Sequence, residues 1–301
     1  MSYNRVSMKM NILETTTKDG LILTGIITSP ETKTDKIIIH IHGMSGDIYT
    51  NSYYPFMYQQ YPENGISFLA VEHRGTHSIT QFNTNDGKIK NIGNTYEIFE
   101  ESSYDIEAWI AKAKELGYKE IWLQSHSLGP SKVAHYIHNN EHSDIAGLIW
   151  ISPSDMIGLV YDPEGIKDHN VLLPEATKLV SEGKGGIILS KDLWGCMKLS
   201  ASTYVNFFGD DANTGIFNYN KPELGWKVVN SIDLPVLAFT GTKDDGVVPV
   251  MEAHKAMETL EKELINCPRK KTVVFDNAQH DFKGFGQQIV DEVIKFIKEG
   301  K

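Results

Sequence analysis

The sequence predicts an α/β chain built on a mostly parallel central sheet with helices on both faces. Three observations predict it. Short β-branched apolar runs alternate with longer stretches of helical periodicity over most of the 301 residues. Several runs are apolar without alternation, as strands buried on both sides must be. One connection breaks the rhythm: about eighty residues separate the runs at 145–151 and 235–240, where a crossover needs roughly a dozen.

The elements follow in order. The first two strands are expected at MNILETTT and GLILTGIIT, joined through Lys18, Asp19 and Gly20. Six more follow: KIIIHI (36–41), ISFLAV (66–71), EIWLQ (120–124), IAGLIWI (145–151), PVLAFT (235–240) and TVVF (272–275). A helix is expected over 98–116, where Phe99, Ile106, Trp109, Ile110, Ala113 and Leu116 recur at mostly three- and four-residue steps and Gly117 ends the run. A second, over 130–140, opens on Pro130 and carries Val133, Ala134 and Ile137 on one side. Residues 250–264 and 287–299 complete the set.

The long connection contains Leu172, Leu173, Trp194, Tyr204, Phe207, Phe208, Phe217, Tyr219 and Trp226. That is too apolar for a disordered loop, and long insertions of this kind are usually lids or binding elements. We expect a mainly helical cap at 153–230, inserted between the sixth and seventh strands of a core made of 1–152 and 231–301. Its aromatic residues are expected mostly in the cap's own core, with one or two at a pocket.

Composition excludes some functions. The chain is 41% apolar and 23% charged, as in ordinary globular proteins, and its formal net charge is -10. A nucleic-acid backbone or an anionic membrane surface calls for a basic face, so neither is expected as partner. Cys196 and Cys267 are the only cysteines, which fits a reducing compartment. The N-terminal residues have no apolar core of signal-peptide length, and no apolar run reaches the ~18 residues of a spanning helix. A cytoplasmic protein without stable membrane insertion is expected; the sequence carries no signal for oligomeric state.

The chemistry-bearing stretch is QSHSLGP (124–130), between an apolar run and a helix. Ser127 there would occupy a tight strand-to-helix turn, with small Ser125 and Gly129 two positions either side. The plainer alternative is a helix N-cap. A nucleophilic hydroxyl needs a base, and the base an orienting carboxylate. His280, in NAQHDF after the strand TVVF, and Asp244 or Asp245, in GTKDDGVVP after PVLAFT, fall at the same sheet edge in the order Ser, Asp, His.

This constellation resembles the α/β-hydrolase superfamily over nearly the whole chain, about 20 to 298. The resemblance rests on SHSLG as nucleophile elbow, GTKDDGVVP as acid loop, NAQHDF as histidine loop and HIHGMSGD after the first core strand. It implies a carboxylesterase-like serine hydrolase with Ser127 as nucleophile, His280 as general base and acid, and the backbone N–H groups of Met44 and Leu128 as oxyanion donors. Counting from Gly241, the Gly-x-x-Asp spacing selects Asp244; counting back from Pro249 favours Asp245, the second choice. No metal or organic cofactor is implied, and the partner is a small-molecule ester. The first glycine of the elbow is replaced by Ser125. VEHRGTHS (71–78) resembles a turn that usually reads Asp-x-Arg-Gly-x-Gly-x-Ser; His73 and His77 depart from it, so only a structural role is carried over to Arg74.

Other constellations are weaker. His40 and His42 alternate at a strand end, but no third ligand is near in sequence, and packing beside the loop is the simpler role. His126 is expected to point away from Ser127 as buried support. GKGG (183–186) and GFGQQI (284–289) lack the spacing of nucleotide-binding loops. A thioesterase or amidase with the same residues is the nearest alternative. A carbon–carbon hydrolase or cofactor-free peroxidase also fits such a fold. A non-enzymatic small-molecule receptor on the same scaffold is the alternative of another class.

Overall fold

The computed structural model describes residues 9–162, 165–247 and 249–300. The chain opens with β1 (Met10–Thr16), β2 (Ile22–Thr28) and β3 (Lys36–Ile41), then α1 (Tyr54–Glu63) and β4 (Ser67–Val71). A small hairpin, β5 (Gln81–Asn83) with β6 (Ile89–Asn91), precedes α2 (Ser102–Glu115), β7 (Glu120–His126), α3 (Gly129–Asn139) and β8 (Ile145–Ile151). The long connection carries α4 (Gly158–Tyr161), α5 (His169–Ser181), α6 (Ala201–Phe208) and α7 (Lys227–Asn230). Last come β9 (Val236–Lys243), α8 (Ala253–Glu263), β10 (Lys270–Gln279) and α9 (Gly286–Glu299).

Eight strands form one sheet in the order β1-β2-β4-β3-β7-β8-β9-β10. β1 and β2 pair antiparallel, as do β2 and β4; every other neighbour in this sheet is parallel. The period-two geometry of a strand sends alternate side chains to opposite faces. Ile37, Ile39 and Ile41 join one core with Trp109, Val133 and Leu260 from α2, α3 and α8. Ile38, Phe68 and Ile149 join the other, under α1 and α9. Burial of an Ile such as Ile37, Ile38 or Ile39 contributes about 1.5–3 kcal/mol each, which explains their continuous apolar run.

The expected elements are present with adjusted ends. The first expected helix begins as a 3-10 turn at Phe99–Glu101 before α2. β9 and β10 both run further toward the carboxyl edge than expected, β10 through an irregular register between Phe275 and Gln279. The helix expected from 250 starts only at Ala253, where the Glu252 carboxylate caps the N–H groups of His254 and Lys255. Val248 of the expected acid loop lies outside the described residues, as do residues 1–8, Pro163, Glu164 and Lys301.

In the long connection the helices are the only regular elements among the described residues. A third apolar cluster joins Met156, Leu159, Leu172, Tyr204, Phe207 and Phe208 to Leu128 at the start of α3 and Phe99 of the 3-10 turn before α2. Phe217, Tyr219 and Trp226 depart from the expectation of a separate cap core: they pack into the main core with Trp150 and Val229. No described helix is long and apolar enough to cross a membrane.

Candidate active site

Ser127 stands at the carboxyl end of β7, immediately before α3, with φ of +62°. Its hydroxyl does not cap the helix, whose N-cap residue is Leu128 without a side-chain cap bond. The Ser127 N–H donates to Ile151 O at 2.9 Å, tying the bend to β8. Left-handed backbone is costly for a non-glycine residue and persists where its surroundings over-determine it. The surroundings here are tight. A Cβ on Gly129 would lie 2.6 Å from Ile41 O, and one on Gly43 would lie 2.6 Å from the Ser127 Cβ. Ser125, in place of the first elbow glycine, is fully buried.

The structure brings three of the sequence-predicted side chains together. Ser127 Oγ lies 2.8 Å from His280 Nε2, and His280 Nδ1 lies 2.7 Å from Asp244 Oδ1. Asp244 is fully buried and also accepts from Thr240 Oγ1 (3.1 Å) and the Gly246 N–H (3.0 Å). Asp245 lies 3.9 Å from the same ring nitrogen but is 83% exposed. Burial works against the Asp244 charge, but the His280 partner, the Ser152 hydroxyl and the Gly246 N–H outweigh it and hold the carboxyl below 3.8. Burial likewise depresses His280, yet Asp244, Asp245 and Asp281 leave it raised above 6.5.

The neighbouring histidines are tuned the opposite way. Burial pushes His126 down to about 4 and His42 to about 3, so both are neutral near pH 7. His126 Nε2–H donates to the His280 carbonyl at 2.7 Å, supporting the backbone of that residue. His42 Nδ1–H donates to Gly43 O (2.8 Å), and its ring stacks on His73 at 3.9 Å. His73 Nε2–H donates in turn to His42 O at 3.1 Å. Behind them lies a buried pair, Lys132 and Glu97, at 2.5 Å. Arg74 is buried against Asp105, with contacts of 2.8–3.2 Å.

This packing fixes the 42–47 loop beside Ser127. Among the described residues, neither the Met44 N–H nor the Leu128 N–H donates to a backbone carbonyl. His40 packs against Tyr53, Tyr54 and Phe68, its Nδ1 accepting from Gln124 Nε2 at 2.9 Å, whereas His42 stacks on His73 and bonds Thr76, so the two imidazoles are engaged separately. Among the described residues the only set of three or more acidic, imidazole or thiol groups close enough to share a cation is Asp244, Asp245 and His280, two of which already bond each other.

A cavity of about 430 Å³ opens over Ser127 and His280. Its floor includes Met44 and His126; Met156, Leu159, Trp194 and Met197 of the long connection face it, with Asp245 and Pro249 beside them. Trp194 is 41% exposed and stands on left-handed backbone at a tight turn closed by the 193–197 bridge. One buried carboxylate joins the two ends of the connection: Asp155 accepts from the Gly158 N–H at 2.5 Å and the Asn220 N–H at 3.0 Å. The contacts at the site that sequence reasoning missed are the His126 bond to the His280 carbonyl and a second serine, Ser152, whose Oγ lies 2.9 Å from His280 Nδ1. His126 was visible as a neighbour of Ser127, whereas Ser152 carried no motif.

A hydroxyl, an imidazole and a carboxylate in one hydrogen-bonded line can pass a proton from the hydroxyl to the ring. Solved structures with this architecture match nearly the whole chain. An esterase from Pyrococcus furiosus is similar at TM-score 0.63 and 17% identity, covering 99% of this chain and 94% of its own. A Butyrivibrio proteoclasticus protein solved with ferulic acid bound is similar at TM-score 0.65 and 20% identity, covering 95% and 98%. An α/β hydrolase from a Penicillium species reaches 0.68 at 15% identity, covering 97% and 98%. No family model matches the chain, and no curated protein matches it in sequence.

Proposed function

The chain has the α/β-hydrolase fold, and from that premise we propose that it is a serine hydrolase cleaving carboxylic esters through an acyl-enzyme. The observation that carries the reading is the continuous contact from Ser127 Oγ through His280 to Asp244, at 2.8 and 2.7 Å. Ser127 Oγ attacks the acyl carbonyl while His280 Nε2 takes its proton. Asp244 holds the Nδ1–H tautomer and stabilises the imidazolium; Asp245, exposed and more distant, does not take that role. The Met44 and Leu128 N–H groups receive the oxyanion; one donor of this kind is typically worth about 3–4 kcal/mol. The imidazolium then protonates the departing alcohol. Water, deprotonated by the same ring, releases the acid and restores Ser127.

Residues 153–230 serve as a cap that supplies the apolar wall of the cavity, Met156, Leu159, Trp194 and Met197. Two free cysteines, Cys196 and Cys267, fit the reducing cytoplasm as the working compartment. Ester cleavage is favoured because the similar structures include proteins named as esterases.

The test is labelling with a fluorophosphonate and location of the adduct by mass spectrometry, beside a chain-length and leaving-group panel of esters, thioesters and amides. We expect the adduct on Ser127 and a Ser127→Ala turnover lower by about a million-fold, the scale for losing the nucleophile of such a unit. A loss of only a few-fold with a model ester refutes the assignment. A folded protein that neither labels nor turns over any member of the panel is a binding protein on this scaffold.

A further inference from the structure

His280 is bracketed by two serine hydroxyls, not one. Ser127 faces Nε2 at 2.8 Å and Ser152 faces Nδ1 at 2.9 Å. The two residues occupy equivalent places: His126 of β7 pairs with Ile151 of β8, and each serine follows its member of that pair. Both stand on left-handed backbone, with φ of +62° at Ser127 and +53° at Ser152. Non-glycine residues in this region store strain that is retained where function needs the direction it gives a side chain. The Ser152 backbone is pinned, its N–H donating to Phe239 O of β9 at 2.8 Å. Unlike Ser127, Ser152 is fully buried and does not line the cavity, so it has no route to a substrate carbonyl.

Proton accounting fixes what its hydroxyl does. Nε2 accepts from Ser127, which leaves the ring proton on Nδ1. The Ser152 hydroxyl therefore cannot donate to Nδ1. It offers a lone pair there, and it is also among the groups that hold the neighbouring Asp244 carboxyl down. Nδ1 thus faces two oxygens, Asp244 Oδ1 at 2.7 Å and Ser152 Oγ at 2.9 Å. No bond at Ser152 forms or breaks when Nε2 gains the Ser127 proton. The ring is held by two acceptors on its Nδ1 side, so its plane, and with it the aim of Nε2, is set by more than Asp244 alone.

We infer that Ser152 is a positioning residue that orients the His280 ring and its Nδ1–H tautomer for proton transfer at Ser127. This rests on the serine-hydrolase reading above. The test uses Ser152→Gly, which tolerates the left-handed backbone, and Ser152→Ala, which keeps the Cβ. Rates are normalised to Ser127 sites titrated with a fluorophosphonate, so that misfolded protein does not count. The expected result in both variants is a kcat lower by roughly ten- to a hundred-fold with KM within about threefold, the pattern of a misaimed rather than emptied site. The far-downfield Nδ1 proton signal of His280 should also weaken or broaden through faster exchange.

An unchanged normalised kcat together with an unchanged Nδ1 proton signal in either folded variant overturns the inference while wild-type turnover and Ser127 labelling stand. A rise in KM at constant kcat overturns it too, because that assigns Ser152 to substrate binding. Wild-type protein without Ser127 labelling sinks the parent reading instead.

Discussion

Gly43→Ala isolates the close approach on which the site depends. The added Cβ would lie 2.6 Å from the Ser127 Cβ, 3.0 Å from His126 O and 3.1 Å from Ser127 Oγ. Gly43 is not on left-handed backbone, so the substitution costs packing and not backbone strain. Carbon atoms prefer about 3.5–4.0 Å, leaving the new contact roughly 1 Å short. Either the 42–47 loop or the Ser127 bend must move by that amount, and these carry the Met44 N–H and the Ser127 hydroxyl proposed to attack. Misplacement of about 1 Å can cost roughly a hundredfold in rate, or about 2.7 kcal/mol of transition-state stabilisation at 1.36 kcal/mol per factor of ten. Overpacking costs a further ~1–3 kcal/mol of folding stability. The assay is pre-steady-state acylation by a p-nitrophenyl ester with titrated sites, beside a thermal unfolding midpoint. A variant of lowered midpoint that acylates at the wild-type rate refutes the reasoning, because the strain would then have relaxed away from the reacting atoms.

Three other predictions follow from the same contacts. Asp244→Asn should lower kcat by about 10⁴-fold, the scale for neutralising the orienting carboxylate of such a triad, and Asp245→Asn by no more than a few-fold; equal losses would overturn the choice between them. Because burial is outweighed by Asp244 and the His280 pKa is raised, kcat/KM should climb with pH on the acid side with an apparent pKa above 6.5, and a limb below 6.5 would contradict it. Burial lifts the Asp155 carboxyl from 3.8 to about 6 despite the Asn220, Gly158 and Tyr219 N–H donors. A folded pKa raised above the unfolded one gives stability that is fully present below pH 3.8 and lost as pH rises through about 6, here roughly 3 kcal/mol at 1.36 kcal/mol per unit. Denaturant unfolding at several pH values should trace that loss in wild type and a flatter profile in Asp155→Asn.

The strands were legible where burial on both faces forced continuous apolar runs, as at Ile37, Ile38 and Ile39. Helix α1 was not, because its Tyr54, Tyr58 and Tyr61 face is interleaved with Pro55 and Pro62 and gives no clean apolar periodicity. The β5–β6 hairpin escaped because its short strands are mostly polar and exposed. At the site, Ser127 and His280 could be read from turn chemistry and strand ends. Counting placed Asp244 first and Asp245 second; the difference in burial between them, Asp244 fully buried and Asp245 83% exposed, has no trace in the sequence. Ser152 left no trace because a serine before a proline at a strand's end is ordinary in sequence. Its distinction is a backbone angle and a distance, which only the pairing of β7 with β8 creates.

The sheet order has a temporal consequence. Its hydroxyl is presented by an inner strand, β7, but its imidazole arrives after the outermost one, β10. A refolding chain in which β7 has paired and β10 has not would display a well-formed bend that is chemically silent. Onset of fluorophosphonate reactivity is therefore a clock for the arrival of the final strand, separable from burial of the tryptophans that report the interior.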